Sequence, residues 1–257
     1  RFGFDLLYPV QRYIDALTQP YVADRNEQLV PNPIFAPRGT SGWRHPSRVL
    51  FAAAVGVPWQ DISDEASWSG EGLRFLSPAE LTEQGRWDVM LGDPENYVLP
   101  SDPLMVESVD PRSGSHPLLG VPVAPPTSTD PQENPINGHE QNVAKRDDLQ
   151  YACIFPLATP RSCTTGTGAC DCNVDDLDRN RPLCQPPGGG DAGTTQYWAK
   201  AYPGIRELEV LKGAGDQAIV ASVCPKIVAG DIVAPFYGYN PVATDIVDRA
   251  APILRGP

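Results

Sequence analysis

The chain has 257 residues with 41% hydrophobic content, enough to bury a core as one large domain or two small ones. Its 29 Pro and 23 Gly make up about a fifth of the residues. That exceeds the usual share of roughly 12% and falls short of the ~25–30% that marks unpatterned disorder, so a folded core with long, proline-stiffened connections is expected. The net charge of −12 repels phosphate, which speaks against nucleic acid and anionic membranes as partners and suits hard cations such as calcium.

Residues 5–18 read as an amphipathic helix, since Val10, Tyr13, Ile14 and Leu17 recur at helical spacing and Pro9 suits a first turn. Loop signals fill 19–47. The run from Val49 to Pro58 is continuously apolar and ends in Gly/Pro punctuation. This predicts a strand buried on both faces, as in a parallel sheet, with a buried helix as the alternative. Ser77, Pro78 and Glu80 spell a helix start with a capping box. Residues 92–148 are rich in Pro, Asp, Asn, Ser and Gly and form a long insertion or ordered loop. Beyond the cysteine-rich stretch 153–191, residues 197–212 look helical, with Tyr202, Ile205, Leu208 and Leu211 at three-residue steps. Ala218 to Cys224 is a second apolar run of strand length. Asn240 and Pro241 open a closing helix striped by Val242, Ile246, Val247 and Ala250. Helices alternating with buried strands predict an α/β domain with a parallel sheet.

Six cysteines, Cys153, Cys163, Cys170, Cys172, Cys184 and Cys224, are an even number and mostly clustered. They predict disulfides and an extracellular, cell-surface or periplasmic location, with the pairing left open. A zinc site is the alternative, but no C-x-x-C pair occurs and no His lies in the cluster. The first residue is Arg1 and no leader or membrane-spanning run is visible, so a processed or longer product is expected.

Asp171, Asn173, Asp175 and Asp178 place oxygen ligands at near-alternate positions, as short calcium loops do. The full EF-hand pattern fails, and an acidic turn-forming surface loop fits the same residues. His45, His116 and His139 lie far apart in turn-like contexts and are expected to be exposed or locally bonded. No nucleophile motif or phosphate loop is present, and Gly188 to Gly190 read as a flexible tether. Asp61 and Glu65 are the carboxylates a metal-dependent hydrolase would use, but nothing in the sequence pairs them. Trp43, Trp59, Trp68, Trp87 and Trp198 are numerous enough to bind sugar or protein if exposed, although packing roles are the simpler expectation.

Two stretches together carry a family resemblance. The first is the helix Tyr8-Pro-Val-Gln-Arg-Tyr-Ile-Asp-Ala-Leu17 followed by Val49-Leu-Phe-Ala-Ala-Ala-Val-Gly-Val-Pro58. The second is Ala218-Ile-Val-Ala-Ser-Val-Cys-Pro225 followed by the helix from Asn240. They resemble the C-terminal part of bacterial extracellular von Willebrand factor A-like domains, whose Rossmann-type parallel sheet serves adhesion or assembly. The resemblance implies a partial sheet built from 1–59 and 197–257, with 60–196 as a loop-rich, disulfide-bearing insertion. It also implies a non-catalytic binding or assembly module, the alternatives being a structural subunit of a filament or surface layer and a secreted hydrolase. The family's Asp-x-Ser-x-Ser adhesion motif is absent from this chain, so no adhesion-site ligand is assigned. Two strands alone leave an unpaired apolar edge. A protein partner or additional upstream chain is therefore expected to complete the sheet.

Overall fold

The computed structural model describes residues 7–39, 42–70, 72–129, 140–143, 146–164, 170–173 and 182–255. Helix α1 spans Val10–Thr18, with Pro9 as its N-cap residue outside the helix. Part of the expected loop 19–47 is instead a short antiparallel hairpin, β1 (Tyr21–Ala23) and β2 (Leu29–Pro31), closed around a turn in which Asp24 Oδ1 accepts the Asn26 and Gln28 N–H groups.

The two apolar runs pair as expected. Strand β3 (Phe51–Val55) lies parallel to β6 (Ala218–Ser222), with Ala53 opposite Val220. Phe51, Ala53 and Val55 pack into the main core with Ala218, Val220 and with Leu208 and Leu211 of α4 (Ile205–Ala214). Burial on both faces holds for β6 but not for β3. Ala52 and Ala54 are exposed, while their register partners Ile219 and Ala221 are buried. The closing helix α5 (Asn240–Arg255) packs on β6, so cover on that face stops short of β3. The Asn240 side-chain amide donates to the carbonyls of Ile232 and Ala234, anchoring the helix to the turn before it.

Two glycines allow backbones to meet. A Cβ on Gly56 would lie 1.7 Å from the Tyr202 carbonyl oxygen, and Gly56 itself accepts the Gly204 N–H at 2.9 Å. A Cβ on Gly213 would lie 2.3 Å from Ile14 Cδ1, so α1 rests directly on α4.

Helix α2 (Pro78–Glu83) carries the capping box foreseen at Ser77 and Glu80, and a further short helix, α3 (Arg86–Leu91), follows it. Leu81, Trp87, Met90, Leu91 and Met105 join the same core as β3 and β6. Residues 197–201 are not helical. They belong to β5 (Thr195–Ala201), antiparallel to β4 (Cys153–Ser162), and the α4 helix begins only after Pro203 and Gly204. Gly188, Gly189 and Gly190 are not a loose tether among these residues. All three take positive φ, Gly189 N–H bonds Pro186 O, and Gly190 N–H reaches Thr129 O.

The loop-rich part is held by buried side chains where a sheet would use ladder bonds. Arg112 and Glu140 form a bidentate pair at 2.7 and 2.8 Å with side chains 5% and 2% exposed. The Arg112 guanidinium also donates to the carbonyls of Leu104, Val106 and Tyr151. Gln141 and Gln150 exchange bonds between side chain and backbone, and the Tyr151 hydroxyl donates to Gln141 Oε1 at 2.7 Å. Buried backbone polar groups need partners wherever the chain runs, and here side chains supply them.

Candidate functional site

The chain leaving β3 turns tightly, with the Asp61 N–H bonded to Pro58 O, and the turn drives Asp61 inward. Asp102 opens a 3₁₀ turn at Pro103–Met105. Its Oδ1 accepts the Leu104 N–H at 3.0 Å, and its own N–H bonds Val89 O at the end of α3. His116 sits in a turn closed by bonds to Val121 O and from Gly120 N. These three loops bring Asp61, Asp102 and His116 together with 0% side-chain exposure. His116 Nε2 lies 2.9 Å from Asp61 Oδ1 and 3.9 Å from Asp102 Oδ2. One ligand-type atom from each residue falls within 4.8 Å of the others.

Burial pushes the Asp61 carboxyl up to about 7, opposed by hydrogen bonding with Asp102 and by the Arg86 charge. Burial raises Asp102 to about 8, and the neighbouring Asp61 charge adds to the effect. Burial lowers His116, keeping the imidazole neutral. Arg86, at the start of α3, is 3% exposed. It donates to Gln84 Oε1 and stacks 5.3 Å above the Trp68 ring.

The residue types match a cation centre, but the imidazole is turned the wrong way for one. The N–H groups of Leu118 and Leu119 both point at His116 Nδ1 from 3.3 Å, so Nδ1 carries a lone pair and Nε2 carries the hydrogen. A ring coordinating through Nε2 holds its hydrogen on Nδ1 and donates it to an acceptor. Here it would face two donors. The arrangement therefore suits shared protons. Sealed from solvent, it offers no path for a substrate.

Of the two expectations for His116, exposed or locally bonded, the second holds: its Nδ1 takes the Leu118 and Leu119 N–H groups, and the ring is a core residue. His45 does stay exposed, with Nδ1 2.8 Å from Ser47 Oγ. His139 lies outside the described residues. Asp61 is paired after all, through loops whose partners stand 41 and 55 positions away and share no periodic pattern. Glu65 acts on the group only through the field at Arg86.

All six cysteines pair: Cys153 with Cys224, Cys163 with Cys170, and Cys172 with Cys184. The first bond ties β4 to the loop after β6, so the β4–β5 hairpin is anchored to the parallel pair. Three disulfides are consistent with an oxidising compartment outside the cytoplasm. Among the described residues no helix is long and apolar enough to cross a membrane.

Of the oxygen-rich loop, Asp175 and Asp178 lie outside the described residues. Asp171 Oδ1 takes the Lys200 ammonium at 3.0 Å, and Oδ2 is 3.4 Å from Gln196 Nε2. Asn173 Oδ1 is buried without a hydrogen-bond partner. Trp87 and Trp198 are buried, whereas Trp43 is exposed and stacks near Tyr21.

Among the described residues the surface carries an extended apolar groove. It measures about 530 Å³, runs between α1 and α4 and reaches β3, lined by Leu7, Val10, Tyr13, Leu17, Phe51 and Val210. Leu7 and Tyr13 are 61% and 46% exposed. Beside it, the open edge of β3 has no strand partner among the described residues. Val55 O accepts the Val223 N–H, so the odd-numbered residues of β3 turn their backbone toward β6. The N–H and C=O of Ala52 and Ala54 consequently face the open side.

No protein-family model matches the chain, and neither the curated proteins nor the solved structures contain a match to it.

Proposed function

We propose that this chain is a non-catalytic interaction module of an extracellular or cell-surface assembly. In this proposal it carries the closing part of a von Willebrand factor A-like parallel sheet, and the free edge of β3 receives a further apolar strand. With α2, α3, β4 and β5 set aside as the intervening segment, the order β3, α4, β6, α5 is that of strand five, helix, strand six and closing helix in that architecture. The observation that carries the proposal is the half-finished state of β3. Its inner residues are packed, while its outer backbone and the Ala52–Ala54 face are open. Parallel sheets are ordinarily covered on both faces and are not left as two strands. The occupant is an apolar strand from protein outside these 257 residues, with a helix beside it to fill the groove along α1.

Burial of the one His–carboxylate group found among the described residues supports a non-catalytic role. Of the residues expected to hold calcium, Asp171 already pairs with the Lys200 ammonium.

The test is purification from the natural source under native conditions, followed by cross-linking mass spectrometry. The expected result is a strand from further protein cross-linked along residues 50–56. Ala54→Pro should abolish that contact while the chain stays folded, because the Ala54 N–H serves no bond to β6. A native protein that runs as a bare monomer with no cross-link to β3 contradicts the proposal. So does a symmetric dimer joined through β3.

A further inference from the structure

We infer that Asp61, Asp102 and His116 form a proton-sharing lock, which holds the insertion loops against the exit of β3 while a proton lies between the two carboxyls and loosens them once it leaves. This is independent of what pairs with β3.

The lock stands first on unmet bonding. Both Asp61 oxygens, Asp102 Oδ2 and His116 Nε2 are buried and lack a well-directed hydrogen bond. Ionised carboxylates only accept, so two of them face to face leave those oxygens bare and place two negative charges in a sealed site. A proton on Asp102 Oδ2, directed at Asp61, supplies the missing donor. The His116 Nε2–H, fixed by the Leu118 and Leu119 amides at Nδ1, faces Asp61 Oδ1 from 2.9 Å.

Charge balance points the same way. The groups acting on the pair are Arg86 from α3 and His116 from the turn around 114–122, with Glu65 acting on Arg86. With the imidazole neutral and one proton shared, the carboxyl pair carries a single negative charge, which Arg86 offsets. Loss of the proton leaves a net negative charge with no route to water. The bond network says which parts would loosen. Asp102 governs the turn 101–106 and its tie to α3, and His116 governs the turn 114–122.

The direction with pH follows from linkage. The proton that the two carboxyls share is held more tightly folded than unfolded, where the ordinary carboxyl value is 3.8. The stabilising contribution is complete below that value and is lost as pH rises toward about 7 to 8. That one proton changes the opening equilibrium by up to about tenfold per pH unit across that window.

Two measurements test it. Carbon-13 NMR of the wild-type carboxyls should show Asp61 and Asp102 titrating near neutrality; both titrating below pH ~5, in the range of ordinary carboxyls, overturns the lock. Amide exchange, corrected for intrinsic chemistry, should lose protection at 101–106 and 114–122 between pH 5 and 8, by roughly tenfold per unit. In Asp102→Asn, whose amide donates to Asp61 at every pH, that slope should vanish; Asp61→Asn serves if the first variant misfolds. An unchanged slope in the variant overturns the proposal. A saturable one-to-one rise of Tm with zinc at pH 8, lost in the variant, would make the group a cation site and also overturn it.

Discussion

Gly56 is where β3 meets the turn before α4, and its missing side chain is a physical requirement. A methyl group there would occupy the place of the Tyr202 carbonyl. Gly56→Ala should therefore cost about 1–3 kcal/mol or more, the usual penalty of overpacking, read as a lower urea midpoint with unchanged slope. Arg112 and Glu140 make the complementary case for a buried charge. Removing the guanidinium in Arg112→Ala takes the bidentate partner from the buried Glu140 and leaves carbonyls of the 104–106 turn and Tyr151 with lost donors. Such breakage typically costs about 3–5 kcal/mol, whereas the exposed Arg146–Asp110 pair should be worth under about 1 kcal/mol. Thermal denaturation of Arg112→Ala beside Arg146→Ala separates the two. None of these buried partners was legible beforehand. Asp61, Asp102 and His116, like Arg112 and Glu140, sit in irregular loops, where spacing along the chain says nothing about proximity in space.

At the scale of elements, the Cys153–Cys224 bond closes 71 residues and the Cys163–Cys170 bond only 7. In the chain-entropy account, replacing the first pair by Ala should destabilise by about 4 kcal/mol and replacing the second by about 2 kcal/mol. Calorimetry of the two double variants gives the comparison. Strands β3 and β6 were readable because unbroken apolar runs bounded by Gly and Pro have few other structures available. The helix at Ser77 was readable from its capping box. Strand β4 was not, since Pro156 and Pro160 lie within it and proline argues against a strand. The pair with β5 accommodates them by shifting register between Pro156 and Arg161. Strand β5 was hidden differently. Its inward positions include Gln196 beside Trp198, so polarity did not alternate as burial does. Tyr202, at the head of the apparent stripe, stands before Pro203 and the N-cap Gly204, and α4 begins only at Ile205.

The whole molecule places a covered core beside an uncovered flank. A chain of net charge −12 keeps apolar side chains exposed along α1 and beside β3, and shows Val247 of α5 at 62% exposure. In the proposed function the exposed apolar surface beside α1 and β3 is where the further protein docks. The parallel pair and its helices could be read from residue pattern, but which strand lay uncovered could not, because β3 and β6 look equally apolar as strings and each has a single strand partner among the described residues. Burial distinguishes them, since β6 is covered along its whole length while Ala52 and Ala54 of β3 are exposed. The most direct measurement is residue-resolved amide exchange on β3, first in the chain alone and then in the assembly purified from its source. Ala53 and Val55 should be protected in both, through β6. Ala52 and Ala54 should exchange freely in the isolated chain and become protected in the assembly. Protection of Ala52 and Ala54 in the monomeric chain, or their continued exchange in the native assembly, would contradict a strand docking on this edge.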